Sequence, residues 1–514
     1  MSAATHRRAA TRRWGGRFHA IANRLLRPFA RAAGVDTGFT VLDRADTVDM
    51  LAMVRTTEGL AERGRRFPRA ATVAAIYSRM VNSQAKLDEV LAADFGWCAD
   101  HADTLRSMFV AYTERKRSSR VLDYDDLLLF WRGLTAGPAG DELRAMFSHV
   151  LIDEYQDTNR IQADIVSGMC GPATEVCAVG DDAQSIYGFR AATVANMWTF
   201  ADRFPGARTI TLEQSYRSTM PVLAVANAVL AQPAAYARAH HPKTLWSTRR
   251  GGPRPGLIVH HDEGDQSRSV ARSVLEARER GIDLRHQAVL FRAGHHSDGL
   301  ELELARHDIP FVKYGGLEYL ETAHVKDLLA LLRLLDNPAD ELAWHRVLGL
   351  LAGVGPATIR RITAELGLDD HAGADPGARA ELSGRDALGR FLHAPPRFPP
   401  AAADQAQELR AALPDGAGAE RPPSAQLARL AGFSELVVPA RYDNAPARIA
   451  DLGQLAATAT VHHSRQALLV ELTLDPPSRT SDLAGPPSLD DDWLTLSTIH
   501  SAKGLEWRAV HLIH

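Results

Sequence analysis

The chain has 514 residues, and at about 100–200 residues per domain it holds three or four domains rather than one core. Hydrophobic residues at 45% and charged residues at 24% are ordinary for a globular protein, and no apolar run approaches the ~20 residues of a membrane-spanning helix, which argues against an integral membrane protein. The formal net charge of −3 gives no global sign of nucleic-acid binding. The three cysteines (Cys98, Cys170, Cys177) lie far apart with no Cys-x-x-Cys pair, which points away from a disulfide framework or zinc site and toward a reducing, cytoplasmic setting.

The basic charge is local: the first 35 residues carry eight arginines and no acid. Such a start also marks transit peptides, but residues 18–26, Phe-His-Ala-Ile-Ala-Asn-Arg-Leu-Leu, have the period of an amphipathic helix leading into a globular part. Residues 40–135 read as helical and end in an acid-punctuated apolar face at 121–130. At 148 the pattern changes to a short apolar strand ending in acids, followed by a second at 175–182. Continuous apolar strands alternating with helices predict a buried parallel sheet. A helix over 266–280 and a strand over 288–292 predict a second unit of the same kind, and 324–366 is helical again. Residues 367–425, rich in Ala, Gly, Pro and Asp, are expected to be a flexible excursion. Strands follow at 493–500 and 508–514, so the chain is expected to end in mid-fold. No internal repeat is evident, which argues against a solenoid or propeller.

The strongest chemical signal is the run 150–159, Val-Leu-Ile-Asp-Glu-Tyr-Gln-Asp-Thr-Asn, which delivers two carboxylates at the carboxyl end of a strand, where α/β sheets place ligands. In a nucleotide-hydrolysing site Asp153 can hold Mg²⁺ and Glu154 can orient or deprotonate the attacking water. Alone, such a pair also reads as a helix cap. The run 179–192, Val-Gly-Asp-Asp-Ala-Gln-Ser-Ile-Tyr-Gly-Phe-Arg-Ala-Ala, adds an amide (Gln184), two aromatics (Tyr187, Phe189) and a guanidinium (Arg190). That set suits a loop that senses a phosphate on one side and stacks a base on the other. Either aromatic by itself would read as core.

Together these blocks resemble motifs II and III of the UvrD/PcrA/Rep-type superfamily-1 DNA helicases, and the rest of the chain agrees. Leu-Glu-Gln-Ser-Tyr-Arg-Ser (212–218) resembles motif IV, which implies that Tyr216 stacks on adenine and Arg217 reaches the γ-phosphate. The family usually has Asn where Ser215 stands. Thr-Leu-Ser-Thr-Ile-His-Ser-Ala-Lys-Gly-Leu-Glu-Trp (495–507) is similar to motif V, implying that His500 and Lys503 face DNA phosphates and Glu506 the ribose. The resemblance places Arg190 with the nucleotide and Tyr187 and Phe189 with DNA. Residues 16–26 resemble the short Gly-Thr-Phe-His motif that touches single-stranded DNA, with Phe18 and His19 in the matching positions and Arg17 in place of Thr. The turn Gly353-Val354-Gly355-Pro356 reads as helix, tight turn, helix, a seat for a DNA phosphate or an ordinary αα-hairpin; the family grips duplex DNA with a comparable element.

The resemblance implies an α/β fold of two RecA-like, P-loop-NTPase-type parallel-sheet motor domains with helical inserts. Residues 1–27 and 119–212 would form the first motor domain, which is expected to be incomplete, with a helical insert over 28–118. Residues 213–323 and 486–514 would form most of the second, and 324–485 a second accessory domain. The implied activity is 3′→5′ movement on single-stranded DNA and junctions, driven by ATP and Mg²⁺. A phosphate-binding loop, Gly-x-x-x-x-Gly-Lys-Ser/Thr, needs a lysine after glycine, and none of the six lysines follows one. The family's final arginine-bearing motif would lie beyond residue 514. The chain is therefore expected to be truncated or mis-called at both ends and inactive alone. A non-hydrolysing DNA-binding remnant and a gene fragment that does not fold stably are the alternatives.

Overall fold

The computed structural model describes residues 14–60, 67–232, 243–314, 320, 322–368, 386–413, 422–442, 444–474 and 492–514. They fall into two compact units, one comprising Met1–Val179, Tyr187–Asn196 and Ala323–Pro476, the other Gly180–Ile186, Met197–Thr322 and Pro477–His514. Every strand pairing within them is parallel: β1 (Thr40–Val41) with β2 (Val121–Leu122), β3 (His149–Ile152) with β4 (Glu175–Ala178), and a four-stranded sheet of β5 (Gln287–Phe291), β6 (Phe311–Tyr314), β7 (Leu494–Thr498) and β8 (Ala509–Leu512) in the order β6-β7-β5-β8.

In the first unit the amphipathic start forms the helix Phe18–Ala33, which stops at Gly34 with φ +72°, a left-handed turn open to glycine at little cost. Its Ala22, Leu25 and Leu26 pack with Leu127, Leu128 and Trp131 of the helix Tyr124–Ala136 and with Ile161 and Ile165 of the helix Arg160–Met169. Burying each large side chain contributes ~1.5–3 kcal/mol. A second core joins the helices Arg44–Thr57, Ala70–Ser83, Leu87–Asp94 and Ala102–Ser118 around Met50, Ile76, Met108 and Tyr112. Caps explain several of the boundaries: the Asp43 side chain accepts the Asp46 N–H at 2.9 Å, and Asp123 and Asp126 form a reciprocal capping box at 2.8 and 3.1 Å.

Buried ion pairs tie the helices Ala323–Asp336 and Glu341–Leu348 to this body. Arg333 binds Asp46 at 2.5 Å and Asp340 at 2.6 Å, Lys326 binds Asp43 at 2.8 Å and Asp46 at 3.2 Å, and Arg115 binds Glu341 at 2.5 Å. Burial pushes the Asp46 carboxyl up, and Arg333, Lys326 and Arg346 more than offset it, leaving it below the ordinary carboxylate range. Such pairs add little net stability over a well-packed apolar replacement, whereas removing one partner is costly.

The composition of 367–425 misleads over its described middle. Residues 369–385 and 414–421 lie outside the described residues, but Ala387–His393 and Ala403–Ala412 are helices. Phe391 is fully buried with its ring 5.1 Å from that of Trp344. Ala387 and Phe391, and Ala402, Ala406 and Leu409, recur at helical spacing and find a packed partner surface, which a count of Ala and Pro does not register.

The second unit carries the buried parallel sheet that the apolar strands predict. β5 and β7 are buried along most of their length under Val270, Ala271, Val274, Leu300 and Leu304 of the helices Glu263–Glu279 and Asp298–Arg306. In the first unit that expectation fails in part, because β3 and β4 form a pair of strands and Leu151 is 77% exposed. Among the described residues no helix is long and apolar enough to cross a membrane.

Candidate functional site

β3 enters the site through Ile152, which is buried, and ends in an exposed Asp153 and a half-buried Glu154. The turn is tight: Glu154 takes φ +50°, a conformation that costs a non-glycine residue ~1–2 kcal/mol. Backbone bonds hold it there, from Tyr155 N–H to the Val179 carbonyl at 2.9 Å, Val179 N–H to Ile152 at 2.8 Å and Asp157 N–H to Glu154 at 2.9 Å. The Asp153 carboxylate accepts the Glu154 N–H at 2.9 Å, and the Gln156 amide donates to the Glu154 carboxylate at 2.5 Å.

In the same unit Tyr187 and Phe189 lie 6.0 Å apart, and the Arg190 guanidinium sits 5.4 and 5.6 Å from their ring centres. Phe189 is 63% exposed. This segment is fastened to the carboxylate turn: Thr193 N–H donates to the Thr158 carbonyl at 3.0 Å, and the Asn196 amide donates to Thr158 and Asn159. Asn159 in turn donates to Asn82 at 2.6 Å, and Arg79 donates to the Gly188 carbonyl at 3.1 Å, so the helix Ala70–Ser83 braces both.

The second unit holds the remaining predicted nucleotide residues. Tyr216 is 77% exposed, its hydroxyl bonded to Gln214 at 3.1 Å. Arg217 is paired with the Glu506 carboxylate, and the Lys503 ammonium donates to the Gln184 carbonyl at 3.1 Å. Ser215 accepts the Ser218 N–H at 3.2 Å, so the serine makes a local turn bond at the position where the family usually has asparagine.

Comparison with known proteins adds what the geometry alone does not supply. The family model described as UvrD/REP helicase N-terminal domain matches residues 2–205, and that described as UvrD-like helicase C-terminal domain matches residues 210–376. DNA helicase II of Escherichia coli is 30% identical over 522 residues, a match covering 97% of this chain and 68% of that protein. The chain belongs to the UvrD-type superfamily 1 helicases. The ATP-dependent DNA helicase UvrD1 of Mycobacterium tuberculosis is 35% identical over 347 residues, covering 65% of this chain and 44% of that protein. The ATP-dependent DNA helicase PcrA of Staphylococcus epidermidis is 29% identical over 354 residues, covering 68% and 47%. The match spans about half the length of these last two relatives.

Arg190, expected at the nucleotide, lies over the aromatic pair expected at DNA. Phe18 and His19 are half-buried, Phe18 6.0 Å from Trp131 and His19 5.3 Å from Tyr124. Burial, with a smaller contribution from Arg17, outweighs Asp123 and pushes the His19 imidazole down to about 4, so it is neutral rather than a cation. Gly353 has φ +70°, and Gly355 caps the helix Pro356–Glu365 with Pro356 at its first position. His500 is half-buried after β7. Sequence reasoning missed Arg79, Asn82, Asn159 and Asn196; of these only Asn159 carried a signal, the capping-box spacing to Gln162.

Proposed function

We propose that this chain is a polypeptide of an ATP-driven DNA helicase that moves 3′→5′ on single-stranded DNA at junctions with duplex, and that these 514 residues alone do not turn over ATP. The observation that carries the reading is β3 ending in Asp153 and Glu154 within a UvrD-type chain. Asp153 is a hard, exposed carboxylate, which fits Mg²⁺, an ion that keeps several waters and takes one or two carboxylates with phosphate oxygens. Bound Mg²⁺ and ATP would supply a polarised γ-phosphoryl group. Glu154 would orient and deprotonate water, Gln184 and Arg217 would engage the γ-phosphate, Tyr216 the adenine and Glu506 the ribose. The lysine-bearing cradle does not fit: no lysine in these residues follows a glycine.

For DNA we assign Tyr187, Phe189, His500, Lys503 and the Gly353–Gly355 turn, with Phe18 and His19 contributing apolar and neutral surface. The ring contacts of Arg190 support a place for it beside the bases rather than the nucleotide. Residues 1–27 with 119–212, and 213–323 with 486–514, are proposed as the two motor domains, with 28–118 and 324–485 as inserts. The test is ATPase turnover with saturating single-stranded DNA against a Glu154→Gln control. Equal, background rates are expected, and turnover clearly above the control overturns the proposed inactivity. Tighter binding to a 3′-tailed than a 5′-tailed duplex is expected; the reverse preference overturns the polarity. A second reading, a non-hydrolysing DNA-binding protein, is favoured by the exposed Phe189 and predicts DNA binding indifferent to nucleotide.

A further inference from the structure

The turn Asp181–Gln184 in the second unit carries two adjacent carboxylates, an unfavourable pairing unless a cation compensates it. Asp181 joins three groups: its carboxylate accepts the Ala183 N–H at 3.0 Å, the Gln184 side-chain amide at 2.8 Å and the Lys243 ammonium. Lys243 also donates to one oxygen of Asp182 at 2.9 Å, while the other oxygen of Asp182 is buried with no hydrogen-bond partner among the described residues. The Lys243 side chain is largely buried. The Gln184 main chain is held separately, its N–H bonded to the Asp181 carbonyl at 2.9 Å and its carbonyl to Lys503 at 3.1 Å.

We propose that Lys243 is a positioning residue for Gln184: by bridging Asp181 and Asp182 and offsetting one of their two charges it holds the 181–184 turn and, through Asp181, the Gln184 side-chain amide. The inference rests on the reading of Gln184 as a γ-phosphate sensor. Lys243 lies 59 residues beyond Gln184 in no motif, so only the folded chain reveals it. Burial pushes the Asp181 carboxyl up, and the bonds from Lys243, Gln184 and Ala183 with the Lys243 charge together more than reverse it, the direction expected if the lysine helps to keep the carboxylate ionised. A guanidinium can replace the ammonium, whereas a neutral amide leaves two crowded carboxylates without their cation.

The test is hydrogen exchange followed by mass spectrometry on the full chain, comparing peptides over 180–190 with peptides over β5 and β7. Lys243→Gln should speed exchange at Ala183 and Gln184 by about tenfold or more, as loss of hydrogen bonds to charged groups requires, with β5 and β7 unchanged. Lys243→Arg should restore protection. In an Asp181→Asn background Lys243→Gln should add less than it does alone, because only the Lys243–Asp182 bond is then left to lose. Unchanged exchange over 180–186, an equal rise across β5 and β7, or failure of arginine to rescue would each overturn the proposal. A change at Gln184 on adding Mg²⁺ with a slowly hydrolysed ATP analogue is the separate mark of the sensor reading, so each idea can fail without the other.

Discussion

Arg217 and Glu506, 289 residues apart in sequence, close on each other in an ion pair within the second unit. The resemblance implies the γ-phosphate for one and the ribose for the other. Both side chains are about 60% exposed, and exposed pairs contribute ~0–1 kcal/mol. Glu506→Gln is therefore expected to leave the urea midpoint almost unchanged. A loss well above ~1 kcal/mol would show the pair to be structural.

Phe189 combines high exposure with a guanidinium neighbour. Phe189→Ala should weaken binding of fluorescent oligothymidine by ~1–3 kcal/mol, the range of one base–aromatic stack, without lowering the melting temperature. Unchanged affinity would remove Phe189 from the DNA interface.

Arg333 is buried between Asp46 and Asp340. Arg333→Ala strands the buried Asp340 and leaves Asp46 paired with Lys326, and is expected to cost about 3–5 kcal/mol in denaturant unfolding. Arg333→Met with Asp46→Leu and Asp340→Asn should recover much of that loss. A single variant as stable as the parent would refute the buried-network account.

Three carboxylates crowd Lys116: Asp123 and Asp126 bind it at 2.7 and 2.5 Å, and Asp125 accepts from Asn82 at 2.7 Å and Ser78 at 3.2 Å. Burial, then the Asp123 charge, pushes Asp125 up to about 6 and Asp126 to about 7. A folded pKa above the unfolded value means that the native state binds more protons between the two, so this contribution to stability falls as pH rises from about 4 to about 7. Asp125→Asn keeps an acceptor for Asn82 and should flatten the fall. Stability measured by urea at pH 5 and pH 7.5 checks it, and an unchanged slope in the variant would count against Asp125.

The sequence by itself determined the family, the parallel α/β character and the identity of the residues with chemical potential, because strand hydrophobicity and short motifs are local properties of the chain. Val150-Leu151-Ile152-Asp153-Glu154 is legible as a strand delivering acids whatever surrounds it. Tertiary structure decided what each group touches. No local pattern shows that Arg190 lies over Tyr187 and Phe189, that His19 is buried enough to be neutral, or that Phe391 in a Pro- and Ala-rich stretch packs on Trp344. Nor does any motif connect Lys243 to Asp181 or Asn82 to Asn159. Charge state and side-chain partnership depend on burial and on residues distant in sequence, and those are set only when the chain closes on itself.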